Sequence, residues 1–126
     1  MGENVLDLVK DLNCDNTSYR ARSIYYNNEL VGVVVAIIVN KSRFSHRELR
    51  IHNLVVNPFV QGKGIGTAIL FDVVKNCEQI FNFTPSKITS SVAKSNVASN
   101  KAHQNAKFKI DKKLSRKYNN HFEHKL

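Results

Sequence analysis

Three of the chain's five glycines fall within five residues, in the run Gln61-Gly62-Lys63-Gly64-Ile65-Gly66-Thr67. Glycine is favoured where a backbone takes a positive φ or must approach a ligand with no Cβ in the way. This cluster stands between an apolar run ending at Val56 and a helix-forming run that starts near Ile65. The unpaired N–H groups of a helix's first turn, together with the positive end of its dipole, attract anions. The residue types and their spacing therefore predict a phosphate or pyrophosphate held by Gly62, Gly64, Ile65, Gly66 and Thr67, with Lys63 facing it. Two phosphate patterns do not fit. The nucleotide P-loop follows its lysine with Ser or Thr, and here Gly64 follows Lys63; the dinucleotide fingerprint needs a glycine where Thr67 or Ile69 stands. Nucleophilic chemistry finds little support. Cys77 falls at a core spacing within a helical run, Cys14 has no activating motif, and the two fit neither a disulfide framework nor a metal site.

The elements that must position this loop follow from periodicity. Val5, Leu6, Leu8, Val9 and Leu12 fall at helical spacing behind Asn4, which predicts a short amphipathic helix. Residues 19–26 and 30–39 read as two strands around an Asn27-Asn28 turn, the second buried on both faces. Residues 41–47 read as a basic loop, and 48–56 as a third strand that stops at Pro58. A helix over 65–80 presents Ile65, Ala68, Ile69, Val73 and Cys77, with Leu70, Phe71 and Val74 broadening the stripe. Residues 87–93 form a fourth strand and 96–106 a second long helix. The remaining tail reads as two strands around Asn119-Asn120. The order αβββαβαββ implies one mixed sheet covered by helices, with residues 1–126 forming a single domain.

Composition narrows the class. Nineteen Lys+Arg against ten Asp+Glu give a formal charge of +9, which favours an anionic partner: nucleic acid, a membrane surface or a phosphorylated ligand. Residues 101–126 carry eight of these cations (101, 107, 109, 112, 113, 116, 117 and 125) against Asp111 and Glu123. The longest apolar run, 30–39, is too short to span a bilayer, and the N-terminus lacks the pattern of a signal peptide. Reduced thiols and a cytoplasmic location are expected.

Gln61-Gly62-Lys63-Gly64-Ile65-Gly66 satisfies the pattern Gln/Arg-x-x-Gly-x-Gly/Ala at every position. With Asn-Leu-Val-Val-Asn-Pro before it and Thr-Ala-Ile-Leu after it, the stretch resembles the acetyl-CoA-binding motif of the GNAT superfamily of N-acetyltransferases. Members of that family follow the next strand with Asn-x-x-Ala/Ser, then Leu-Tyr, then Gly-Phe. Asn96, Ser99 and Phe108 match that pattern, while Ala102, His103 and Lys107 stand at the leucine, tyrosine and glycine. The resemblance runs from about Arg20 onward. Relative to the family, the sequence lacks most of the first strand and part of the helical pair that shapes the acceptor pocket.

The resemblance implies an α/β (α+β) fold with a mixed, mostly antiparallel central sheet flanked by helices and shortened at the N-terminus. It implies transfer of acetyl from acetyl-CoA to a primary amine by direct attack in a ternary complex, without metal. A splayed strand at Leu54, Val55 and Val56 would hold the pantetheine arm, Gln61 to Thr67 the pyrophosphate, and Asn96 and Ser99 the pantetheine amides. Backbone donors aimed at developing charge are an effective catalytic arrangement. His103 would protonate the leaving sulfur in place of the family tyrosine. His52 and Glu48 are the candidate bases, since Glu48, Arg50 and His52 share one face of a regular strand. The acceptor is a small-molecule or peptide amine, and a homodimer would complete a shortened pocket. Two other readings stand beside this one. One is a GNAT-fold module that binds CoA but catalyses poorly. The other is a basic nucleic-acid binder, which leaves the glycines unexplained and lacks an aromatic RNA signature.

Overall fold

The structure, a computed structural model, describes residues 18–41 and 46–126. The helix expected over 5–12 and Cys14 lie outside them. Strands β1 (Tyr19–Tyr26), β2 (Glu29–Lys41) and β3 (His46–Val56) form an antiparallel meander. Asn27 and Asn28 turn the first hairpin with φ of 53° and 64°, the pair of positive values that a two-residue type I′ turn requires. After β3 come a 3-10 turn (Pro58–Val60), helix α1 (Ile65–Lys75), helix α2 (Cys77–Phe81) and strand β4 (Lys87–Ala93). Helix α3 (Val97–Asn105) then leads to β5 (Lys109–Ile110) and β6 (Asn119–Lys125). The six strands make one sheet in the order β1-β2-β3-β4-β6-β5. Only β3 and β4 run parallel, as the mixed α+β expectation requires.

Leu49 and Ile51 of β3, Ile88 and Val92 of β4 and Phe122 of β6 join Ile69, Leu70 and Val73 of α1 in one apolar core. Helix α1 sits close to β2 because Gly32 has no side chain. A Cβ there would lie 2.7 Å from the Val55 carbonyl oxygen and 2.8 Å from Ile69 Cδ1. The Tyr26 hydroxyl donates to the Asp72 carboxylate and fastens the first hairpin to the same helix.

Several local expectations need correction. The helix over 65–80 is broken at Asn76, whose φ of −120° leaves the helical region. Phe71 turns outward and is 46% exposed. Strand β2 alternates buried with half-buried residues over 32–37, and residues 37–39 are all half-buried, so the strand is not enclosed on both faces. Lys41, His46 and Arg47, expected in the basic loop, lie in the strands, where Lys41 pairs with His46 and Asn40 with Arg47. In the tail, Asn119 and Asn120 begin β6, where they pair with Ala93 and Val92. The reversal falls at Asp111 instead. Its side chain accepts from the backbone N–H of Lys113 at 2.9 Å and its carbonyl from the Ser115 hydroxyl at 2.8 Å.

Candidate active site

The parallel ladder between β3 and β4 covers only Glu48–Ile51 against Lys87–Ser90. Beyond it β3 stays with β2 through Val56, and β4 stays with β6 through Ala93. The sheet therefore divides, leaving the β4-facing edge of residues 52–56 without a ladder. The division begins at a bulge: Asn53 pairs with Val35 and Ile51 with Ala36, so His52 is the extra residue. A bulge bends its strand and ends regular pairing. His52 nonetheless stays on the face of Arg50, since its ring meets that of Tyr19, which pairs through Ile37 with Arg50.

The glycine loop lies at the end of that split. Asn57 anchors it to β2, donating from its backbone to Val31 O at 2.8 Å and from its side chain to Leu30 O at 2.7 Å. Gln61 Nε2 donates to Val56 O at 3.1 Å. Gly62 and Gly64 have φ of 82° and 75°, and a Cβ on either would meet no protein atom within 4 Å. Neither glycine is there for internal packing. Gly64 is the N-cap of α1, and no side chain caps that helix. Its first internal bond runs from Ala68 N to Gly64 O at 3.0 Å, so the donors of Ile65, Gly66 and Thr67 precede it. Gly66 faces Ala102 of α3, where a Cβ would lie 3.5 Å from Ala102 Cβ. Lys63 is exposed. By contrast, Asn96 closes the N-terminus of α3 by accepting from Ser99 N at 3.1 Å. The start of α3 is thus capped by a side chain and that of α1 is not.

His103 is 1% exposed. Its Nδ1 lies 2.7 Å from Ser99 O. A carbonyl can only accept, so Nδ1 carries the proton. Nε2, at 2.9 Å from Ser90 Oγ, then accepts from that hydroxyl. The ring stacks on Phe122 at 4.9 Å and meets Phe108 edge-on at 5.3 Å. Burial pushes its pKa down, and the bond to Ser99 opposes this only in part. His103 is thus neutral with both nitrogens engaged. Glu48 is also buried. It receives bonds from the Thr89 hydroxyl, from Arg50 Nε at 3.0 Å and from His46 Nε2 at 3.0 Å. Burial works against its charge, but these donors outweigh it and hold the carboxyl down at about 2. His52 is exposed, with its ring edge-on to Tyr19 at 6.2 Å. Burial pushes the Cys77 thiol up to about 12, the state of an unreactive core cysteine.

A model of the acetyltransferase (GNAT) family matches residues 3–108. The chain belongs to the GNAT acetyltransferase family. No curated protein matches it in sequence. Among solved structures, it is similar to the Campylobacter jejuni N-acetyltransferase PseH in complex with acetyl coenzyme A (TM-score 0.68, 20% identity, 94% of this chain and 74% of that one). It is similar to the Vibrio cholerae spermidine N-acetyltransferase in complex with CoA and spermine (TM-score 0.72, 17% identity, 94% and 72%). It also resembles a Bacillus subtilis acetyltransferase in complex with CoA (TM-score 0.67, 16% identity, 99% and 95%). These likenesses are of fold.

Within the GNAT frame the structure brings Leu54, Val55, Val56 and the residues Gln61 to Thr67 to one end of the split sheet, with α3 packed on α1 at Gly66. His103 and Ser99 sit together at the rear of α3, and Glu48 lies at the closed end of the β3–β4 ladder. Two residues that shape this arrangement carry no signal in the sequence. Gly32 lies outside any motif, and only the packing of Ile69 reveals why it is glycine. Ser90 shows its role only through the His103 ring above it. Among the described residues no group of three His, Cys, Asp or Glu could hold a metal, and no helix is long and apolar enough to cross a membrane.

Proposed function

We propose that this GNAT chain is a cytoplasmic N-acetyltransferase that moves an acetyl group from acetyl-CoA to a primary amine by direct attack. The observation that carries the reading is the uncapped start of α1, with Gly62 and Gly64 at positive φ and open space above both, at the end of a divided sheet. Acetyl-CoA supplies an activated acetyl thioester when bound. The backbone donors of Gly62 to Thr67 hold its pyrophosphate, with Lys63 beside them. The free edge of β3 over Leu54, Val55 and Val56 orients the pantetheine arm and offers N–H groups to charge on the carbonyl. Asn96 and Ser99, already joined as the cap of α3, present the opposite wall. His52, exposed at the bulge, is the base that takes the amine's proton. Glu48, fixed as a carboxylate by three donors, serves as a structural anchor. His103, with both nitrogens engaged, holds α3 to the sheet and is not the acid. The acceptor is a small-molecule or peptide amine.

A second reading, a CoA-binding GNAT module with weak catalysis, draws on that same engagement of His103. Calorimetric titration with acetyl-CoA and CoA tests both, using wild type and Gly64→Glu. Binding by wild type that Gly64→Glu abolishes is the expected result, and no binding by wild type would overturn the proposal. CoA release with amines, lowered at least tenfold in kcat by His52→Ala, is expected of the enzyme. Binding without turnover on any amine would select the second reading.

A further inference from the structure

The basic tail is not used by this chemistry. At the outer edge of the sheet, away from the glycine loop, α3's exit, β5 and the end of β6 enclose a cleft of about 710 Å³. Lys107, Lys109, Lys112, Lys113 and Lys125 line it. Among the described residues the only carboxylates in its lining are Asp111 and Glu123, so five cations less two anions leave an excess of three. Both acids are already engaged. Asp111 Oδ1 accepts from Lys113 N, and Glu123 lies 3.7 Å from Lys87 Nζ. The lysine ammonium groups are thus left largely uncompensated in a concave space, where like charges repel and the folded state gains nothing from gathering them.

The frame around them is fixed. Lys107 holds the left-handed position after α3, with φ of 71°, and its N–H donates to Gln104 O at 3.0 Å. Lys109 is pinned in β5 opposite Glu123. The turn closed by Asp111 sets Lys112 and Lys113. His124, edge-on to Phe108 at 5.5 Å, lines the same cleft, and its Nδ1 is shielded from solvent without a hydrogen-bond partner among the described residues. A buried polar atom with no partner calls for one.

We propose that this cleft is a second binding site, separate from the acetyl-CoA site, for a compact anion bearing several phosphates. The volume suits a small molecule. Ammonium groups serve as point charges for phosphate oxygens without the fixed plane that a carboxylate fork demands. Among the described residues the lining has no Phe, Tyr or Trp, so these offer no platform on which the bases of a single-stranded nucleic acid would stack. Ile110 is the one large apolar residue in the lining among the described residues.

Sodium tripolyphosphate is the probe. Titrated into CoA-saturated wild type, it should bind with one equivalent. Lys109→Ala with Lys112→Ala should weaken that binding at least tenfold while CoA affinity stays unchanged, which also reports that the variant is folded. The same titration on Gly64→Glu, where the first anion site is removed, should again give one equivalent, so the result does not depend on CoA binding. Absence of binding in both proteins, or equal affinity in the lysine variant, would overturn the site. A 12-nucleotide RNA that binds through these lysines more tightly than tripolyphosphate would overturn the assignment to a compact ligand.

Discussion

Replacing Glu48 by Gln keeps the shape of the side chain and removes its charge. In the folded protein three donors hold this carboxyl at about 2, whereas a glutamate in an unfolded chain titrates near 4.3. A gap of roughly two units corresponds to about 3 kcal/mol of stability that depends on ionisation. Because the folded value is the depressed one, that stability is complete above about pH 5 and is lost as pH falls toward 2. Wild type should therefore exceed Glu48→Gln by about 3 kcal/mol at pH 7. The difference should narrow below about pH 4 and reach about 1 kcal/mol near pH 2.5. Every other titrating group is common to both proteins. Urea unfolding at pH 7, 4 and 2.5 measures it, with the pH 7 midpoint of the variant lowered by roughly 1 to 3 M. A difference that stayed constant across that range, or fell short of 1 kcal/mol at pH 7, would refute the account of Glu48 as an ionised anchor.

Two further expectations concern the backbone. Gly32→Ala drives a methyl into the Val55 carbonyl and the tip of Ile69, and should cost about 1 to 3 kcal/mol as α1 is forced outward; an unchanged melting temperature would contradict the close approach. Lys107→Gly relieves a side chain held at φ of 71° and should raise stability by roughly 0.5 to 1 kcal/mol in thermal melts.

Features written in local chemistry are legible in the sequence. Asn27-Asn28 specifies its own turn, residues 87–93 form a strand within the expected bounds, and the run from Gln61 to Thr67 carries a pattern met at every position. Where a distant partner decides the outcome, the sequence misleads. Asn119-Asn120 has the same turn chemistry as Asn27-Asn28, yet pairing with Ala93 and Val92 draws it into a strand, and Asp111 takes the reversal. A helical stripe runs unbroken through Asn76, where the chain breaks so that Ile80 and Phe81 can reach the core. The bulge at His52 exists only in register with β2, and nothing in the alternation along β3 announces it. Nothing local to His103 shows that Ser90 lies against its ring nitrogen. The place of the glycine loop, between a strand end and a helix start, is plain from its neighbours, but the reason Gly32 matters to it is not.

The position of β6 bears on how the fold is completed during synthesis. This strand lies between β4 and β5, and Phe122 at its centre is fully buried against His103. A nascent chain arrested before Asn119 would have made β4, α3 and β5, but β4 and β5 do not touch without the strand between them. The half of the sheet that carries α3 therefore cannot close on the ribosome until residues 119–125 have cleared the exit tunnel. A truncation of even a few residues within β6 removes an interior strand, not an edge, and would strip Phe122 from the stack on which the histidine of α3 rests.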